Sequence, residues 1–134
     1  MKQEERVNEV RARQPINLDV RQEQPNISTV AVDLQSPSAD RTTLLYVYNP
    51  LNIREIAALV EGSTPTATWN LEYSNDVSVF SSLFTTAITT SSTTTTKLYY
   101  PDVKYVPSGH WLWLNLSATG GTLDHLHLAV IYEQ

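Results

Sequence analysis

Apolar and polar residues alternate most regularly near the end of the chain, in two runs separated by Gly120 and Gly121. Side chains of a β-strand point alternately to opposite faces, so this period of two predicts two strands with one apolar face each. The predicted inward residues are Leu112, Leu114, Leu116, Ala118, Leu126, Leu128, Val130 and Tyr132. Because glycine adopts the positive φ angles of a tight reversal, we predict a hairpin that turns at Gly120 and Gly121.

Shorter alternating segments, separated by turn residues, predict further strands in the preceding chain. They fall at 28–34, 42–48, 67–73, 97–100 and 103–106. In the third of them, Ala67, Trp69, Leu71 and Tyr73 share the side predicted to face inward. Residues 51–61 fit both a helical stripe and an alternating strand. About eight or nine short strands with few helix signals predict an all-β protein, an antiparallel β-sandwich or a jelly roll.

Charged residues are concentrated in the first third of the chain, whereas the remainder is rich in threonine, serine and aromatic residues. This change of composition predicts two parts. The first is an extended N-terminal arm over residues 1–40, and the second is a β-sandwich domain over residues 41–134.

The beginning of the arm, residues 1–27, has few apolar residues and two prolines that prevent a long helix. Such a segment buries too little apolar surface to offset its ordering entropy on its own. Two interpretations are open, a disordered tail or an arm that orders against a partner. We favour the arm, because Ile16, Leu18 and Val20 alternate with polar residues. The predicted partner-contacting residues of the arm are Val10, Arg11, Arg13, Ile16, Leu18 and Val20.

The overall charge and composition narrow the classes of function. A formal net charge of −5 argues against a nucleic-acid partner, because phosphates require a basic surface. The absence of cysteine excludes disulfides and thiolate metal sites. No apolar run is long enough to span a bilayer, and the charged N-terminus differs from a secretory signal. We therefore expect no membrane partner and synthesis in a cytoplasm.

Few residues suggest catalytic or metal chemistry. His125 and His127 lie two apart and share a strand face, so they could bind a metal if a neighbouring strand supplied a third ligand. No carboxylate has motif spacing, and we predict no metal site and no cofactor; the two histidines are expected on a sheet face or at a subunit contact. The nucleophile elbow G-x-S-x-G and the phosphate-binding glycine motifs are absent, so we expect no enzyme.

Trp111 and Trp113 share the strand face opposite the leucines. One interpretation is that they fill the core while the leucines are covered elsewhere. The other is that they face a second copy of the chain or a larger assembly, since tryptophan is enriched at the centres of interfaces. The predicted interface outside the arm consists of Trp111, Trp113, His125 and His127.

Several motifs in combination resemble a known family. They are T-W-N-L-E-Y at 68–73, the threonine-rich run at 93–96, W-L-W-L at 111–114 and L-H-L-A-V-I-Y at 126–132. Together they resemble small β-sandwich virion structural proteins of tailed bacteriophages. The resemblance implies a strand rather than a helix at 54–60, and an assembly that is usually a trimer. The chain departs from the family pattern at Ser74, where glycine is usual, and in its longer N-terminus.

The resemblance leads to the expected function. We expect a capsid decoration (cement) protein, which binds the major capsid protein as a homotrimer and stabilises the shell of the virion without catalysis. The alternative is a tail-fibre or receptor-binding β-sandwich module that stacks carbohydrate on exposed tryptophan and tyrosine. A weaker alternative is a small lectin-like accessory domain of an enzyme, outside any virus.

Overall fold

The protein is described here by a computed structural model that covers residues 26–134. Every regular element in that range is a β-strand. The strands are β1 (Ile27–Gln35), β2 (Asp40–Val47), β3 (Leu51–Ser74), β4 (Ser81–Ser82), β5 (Ile88–Thr90), β6 (Lys97–Tyr99), β7 (Tyr105–Val106) and β8 (His110–Glu133). No helix long and apolar enough to cross a bilayer occurs in this part of the chain. The predicted all-β class is confirmed, and residues 51–61 form strand rather than helix.

Two long strands form the centre of the fold. β3 and β8 have 24 residues each and pair antiparallel from Asn52 opposite Glu133 to Ser74 opposite Trp111. All other strands attach to this ribbon: β1 and β2 pair with β8, and the four short strands β4 to β7 pair with β3. All pairings are antiparallel, as the sequence predicts.

The predicted hairpin at Gly120 and Gly121 is wrong. Both glycines lie inside β8, which pairs with β3 on either side of them instead of with itself. The ribbon changes register beside Gly62 of β3 and across residues 63–66, opposite these glycines. Gly62 has φ 146° and Gly121 has φ 61°. The positive φ expected of a turn glycine is therefore present at Gly121, but it serves a bend in two paired strands.

This bend separates two layers. The first layer contains β1, β6, β7, the start of β3 and the end of β8, and the second contains β2, β4, β5 and the remaining halves of β3 and β8. The inner faces meet in one apolar cluster. Trp69 of the second layer packs edge-on against Tyr99 of the first, with ring centroids 5.6 Å apart. The arrangement is a β-sandwich, as predicted; the jelly-roll alternative stays a prediction.

A short chain of polar contacts crosses the core between the layers. The buried indole Nε1–H of Trp69 donates to Thr90 Oγ1 at 3.0 Å. The Thr90 hydroxyl in turn donates to the Tyr99 hydroxyl at 3.2 Å. Because a buried polar group without a partner is destabilising, these bonds let the largest side chain of the core be fully buried.

The alternating pattern predicts the core well. Among the inward residues predicted in β8, the leucines of both runs and Val130 are buried, whereas Ala118 is exposed and Tyr132 is half-buried. In β3, Ala67, Trp69 and Leu71 are buried and Tyr73 packs at the edge of the core. Trp111 is 43% exposed. Trp113 is half-buried on the same outer face, opposite the buried leucines. The interpretation in which the tryptophans fill the core is therefore wrong, and their contact with a second copy or a larger assembly stays a prediction.

The end of the predicted arm belongs to the sheet. β1 pairs with β8 from Ile27 opposite Glu133 to Gln35 opposite His125, and its alternate residues Val30, Val32 and Leu34 pack against the core. Ordered sheet structure thus begins before the predicted boundary at residue 40. The arm residues predicted to contact a partner, Val10, Arg11, Arg13, Ile16, Leu18 and Val20, lie outside the described residues.

The bend predicts a marked difference between two glycine substitutions. A Cβ added at Gly121 would lie 2.0 Å from the carbonyl oxygen of Thr64, whereas one added at Gly109, which also has positive φ, would meet nothing within 4 Å. We expect Gly109→Ala to lower the free energy of unfolding by about 1–2 kcal/mol through backbone strain alone. Gly121→Ala adds a collision and should lower it by about 3 kcal/mol or more. Urea unfolding measures the free energy of unfolding of both variants. Equal losses of stability in the two variants would contradict the bent ribbon.

Candidate functional site

The outer face of the second layer carries three cross-strand rows of side chains from β2, β8 and β3. They are Arg41–Asn115–Asn70, Thr43–Trp113–Glu72 and Tyr46–Trp111–Ser74. The rows follow from the period of two in each strand, because the residues between them point into the core. We call this surface, with the loop 75–80 that borders it, the aromatic face.

An exposed aromatic pair lies at one end of the aromatic face. The rings of Tyr46 and Trp111 have centroids 5.0 Å apart at an angle of 60°. Tyr46 is 46% exposed and Trp111 is 43% exposed. Aromatic pairs of this kind supply a large apolar area with polar edges, which suits the centre of a binding surface.

The middle of the face is held by contacts among charged and aromatic side chains. Glu72 is nearly buried; it accepts hydrogen bonds from Arg41 Nε at 2.8 Å and from Asn115 Nδ2 at 3.0 Å. The guanidinium carbon of Arg41 lies 3.8 Å from the ring centre of Phe80. Phe80 packs edge-on against Trp113, with centroids 5.8 Å apart. Phe80 thus lies between Arg41 and Trp113 and connects the Trp113 ring to the ion pair of Arg41 with Glu72.

One donor in this region has no partner. The Nε1–H of Trp113 is buried and has no hydrogen-bond partner among the described residues. Buried polar groups are rarely left unpaired, so this donor is an exception within the aromatic face.

Hydrogen bonds to two side chains shape the loop at the edge of the face. Ser74 Oγ accepts from the backbone N–H groups of Asp76 and Val77, both at 3.2 Å. Asp76 Oδ1 accepts from the N–H groups of Ser78 and Val79, both at 3.0 Å. The hydrogen bonds from Val79 and Ser78 lower the pKa of Asp76 to about 2. Asp76 is therefore ionised near neutral pH.

This loop holds Val77 in an unusual backbone conformation. Val77 has φ 55°, in the left-handed region that β-branched residues rarely adopt. Its side chain is 66% exposed and, with Asn75 and Asp76, lines a cleft of about 430 Å³ against Thr43, Trp111 and Trp113. Strain of this kind persists where the surroundings enforce it, and it is common at binding sites.

A second polar cluster lies on the outer face of the first layer. Asp33 of β1 is paired with His127 of β8, and Glu61 of β3 is paired with His125. His125 Nδ1 lies 3.0 Å from Asp33 Oδ1, and His127 Nε2 contacts Glu61 Oε2. The hydrogen bond to Asp33 raises the pKa of His125 above its ordinary value. Partial burial opposes this shift, and the negative charges of nearby carboxylates add to it.

The structure separates the residues that the sequence placed in one interface. Trp111 and Trp113 lie on the outer face of the second layer, whereas His125 and His127 lie on that of the first. The bend in β8 divides them. Asp33 and Glu61 have no sequence signal as neighbours of the histidines, because only the register of three strands brings them together.

Comparisons with known proteins add little to these observations. No family model matches the chain, and no curated protein does. Two solved structures, of infectious bursal disease virus strains Gt and Gx, align with 83% of this chain at 14% identity, with TM-scores of 0.42 and 0.39. The aligned part spans only 33% and 32% of those chains. Similarity at this level carries no inference about function.

Backbone strain at Val77 predicts that an asparagine stabilises the fold there. Asparagine tolerates positive φ far better than valine, so we expect Val77→Asn to raise the free energy of unfolding by about 1 kcal/mol. The matched control is Val79→Asn, at a similarly exposed valine (70%) in the same loop. Val79 is not among the residues with positive φ. Urea unfolding of both variants distinguishes the cases, and a gain of the same size in the control would argue against strain.

Proposed function

We propose that this protein is a structural component of a virus particle, a capsid decoration (cement) protein that attaches to the major capsid protein through its aromatic face. The observation that carries the proposal is the exposed pair of Tyr46 and Trp111 on the outside of a closed sandwich. The core does not need this pair, because the opposite face of the same strands already supplies the buried leucines. The resemblance of the sequence to virion structural proteins of tailed bacteriophages supports the same role.

The aromatic face suits attachment to a protein surface. Trp111 and Tyr46 project from neighbouring strands of a sheet, so little side-chain or loop ordering opposes binding. Val77 of the adjacent loop lines the same cleft as Trp111, and both it and Val79 are exposed.

Repetition would turn a modest contact into stable attachment. A homotrimer places three copies of the face on a symmetric shell, and each bound copy raises the effective concentration of the next. The arm residues 10–20 would add a second contact on each copy. In this role the protein is made in the host cytoplasm and resides in the virion.

We also propose that the protein acts without catalysis or a cofactor at this face. The carboxylate at the cleft, Asp76, is ionised and already accepts backbone hydrogen bonds, so it is poorly suited to donate or remove a proton. Glu72 is likewise occupied by Arg41 and Asn115. Both groups stabilise the surface instead of offering reactive atoms.

A carbohydrate-binding or receptor-binding module is the second candidate. The observation that favours it is the cleft, in which the Trp111 ring lies beside the polar side chains of Asn75, Asp76 and Thr43. An exposed aromatic ring flanked by amide and carboxylate groups can stack on a sugar while they bind its hydroxyls. The same residues therefore support both candidate functions, and the identity of the bound partner distinguishes the two functions.

Substitution of Trp111 tests the proposal. We expect Trp111→Ala to weaken binding to emptied capsids of the encoding virus at least about tenfold, because truncation of a central interface tryptophan typically costs about 2 kcal/mol or more. The matched control is Tyr105→Ala, at an aromatic residue that is 52% exposed on β7 in the first layer. Co-sedimentation with capsids measures the binding.

The outcomes separate the candidates. Normal capsid binding by Trp111→Ala, or an equal loss in Tyr105→Ala, would contradict attachment through the aromatic face. If the wild-type chain does not bind capsids but binds a glycan array, and Trp111→Ala abolishes that binding, the carbohydrate-binding function replaces the cement function.

A further inference from the structure

The polar cluster on the first layer has the geometry of a metal site. Asp33 Oδ1 lies 3.0 Å from His125 Nδ1 and 3.5 Å from His127 Nδ1. One ligand atom from each of these three residues falls within 4.8 Å of the other two. Bond lengths of about 2.0–2.2 Å to a tetrahedral zinc ion place neighbouring ligand atoms about 3.3–3.5 Å apart. The distances from Asp33 Oδ1 to the two histidine nitrogens are therefore close to the spacing that one ion requires.

Both histidines direct the same ring nitrogen, Nδ1, toward Asp33. The two rings are stacked nearly parallel, at 7° and with centroids 5.5 Å apart, so they must rotate toward each other to aim both in-plane lone pairs at one ion. The opposite nitrogen of His127, Nε2, contacts Glu61. Metal-bound histidines commonly donate their second ring N–H to a carboxylate in this way, which fixes the tautomer and strengthens the ligand.

Two states of the cluster satisfy the contacts of His127. A neutral imidazole has one N–H, yet both nitrogens of His127 face a carboxylate, Asp33 on one side and Glu61 on the other. In the neutral ring one of these approaches sets a lone pair against a carboxylate oxygen. Either a second proton on the ring or a cation at Nδ1 removes that repulsion, and Nε2–H donates to Glu61 in both states.

The surrounding charge also favours a cation. Asp33 and Glu61 contact the two imidazoles, and Asp124 directly precedes His125 in the chain. With neutral histidines, the cluster therefore carries only negative charge. The ligand side chains are partly exposed, so an ion could enter from solvent and retain water in its remaining positions.

We propose that Asp33, His125 and His127 bind one divalent transition-metal ion of the zinc class, with Glu61 as the outer carboxylate that orients His127. The site would join β1 to β8. β1 is an edge strand paired only with β8 among residues 26–134. The ion would therefore anchor the strand into which the N-terminal residues lead. This inference is independent of the proposed function of the aromatic face.

Metal titration of the full-length chain tests the site. After EDTA treatment and buffer exchange, ZnCl₂ is titrated by calorimetry and CoCl₂ by visible absorption. We expect one ion per chain in the wild type. His127→Gln and Asp33→Asn should weaken binding at least tenfold, since each removes a ligand. Glu61→Gln should keep the stoichiometry and weaken binding about 10–100-fold, as loss of an outer partner does.

The third histidine is the matched control. His110 lies at the start of β8, beside Tyr73, outside the cluster. His110→Gln should bind zinc as the wild type does. Zinc should also raise the melting temperature of the wild type and of His110→Gln but not of His127→Gln. Unchanged binding in the cluster variants, an equal loss in His110→Gln, or no binding by the wild type would overturn the proposal.

A measurement without substitutions covers the case in which a variant folds poorly. Long-range ¹H–¹⁵N spectra of the wild-type imidazoles report each ring nitrogen separately. Zinc should shift the Nδ1 signals of His125 and His127 and leave those of His110 in place. A shift confined to His110, or none at all, would contradict the site.

Discussion

The structure depends on one continuous pairing, that of β3 with β8. Each strand has 24 residues, and every other strand pairs with one or the other. The short strands β4 to β7 have two or three residues each, too few to form a stable sheet alone. These four strands form because β3 offers each of them backbone hydrogen-bond partners beside a buried apolar face.

The bend in this ribbon determines what the protein offers to its surroundings. A straight ribbon of this length would present all odd-numbered residues of β8 on one surface. The close approach of backbones at Gly62 and Gly121 instead folds the two halves face to face. Trp111 and Trp113 thus lie on one outer face and His125 and His127 on the other. The adjoining strands place aromatic and charged residues beside the tryptophans on one face. They place two carboxylates, Asp33 and Glu61, beside the histidines on the other.

Much of the fold could be predicted because burial in strands follows a local rule. Alternation alone identifies the leucines of β8 and Trp69 and Leu71 of β3 as core residues. It also places Trp111 on the face opposite the leucines, and the structure shows that this face is the outer one. The rule says nothing about which strand pairs with which. Gly120 and Gly121 have the chemistry of a hairpin turn, but β3 supplies hydrogen-bond partners on both sides of them, so β8 has no need to fold back.

The candidate sites were less predictable, because they depend on register between distant segments. Asp33 and Glu61 reach the histidines only through the pairing of β1 and β3 with β8. Glu72 alternates as an outward polar residue, yet it is nearly buried, since Arg41 and Asn115 hold it within the outer face. The strain at Val77 has no sequence signal, because valine is an unfavourable residue at positive φ.

The pairing of β3 with β8 along their whole length is most directly tested by cross-strand NOEs in the full chain. We expect backbone NOEs between Ala57 and Ala129 in the first layer and between Leu71 and Leu114 in the second, in the same spectrum. NOEs that instead join Ser117 to Asp124 across a turn at Gly120 and Gly121 would contradict the bent ribbon. In that case the separation of the aromatic and histidine faces would have no structural basis.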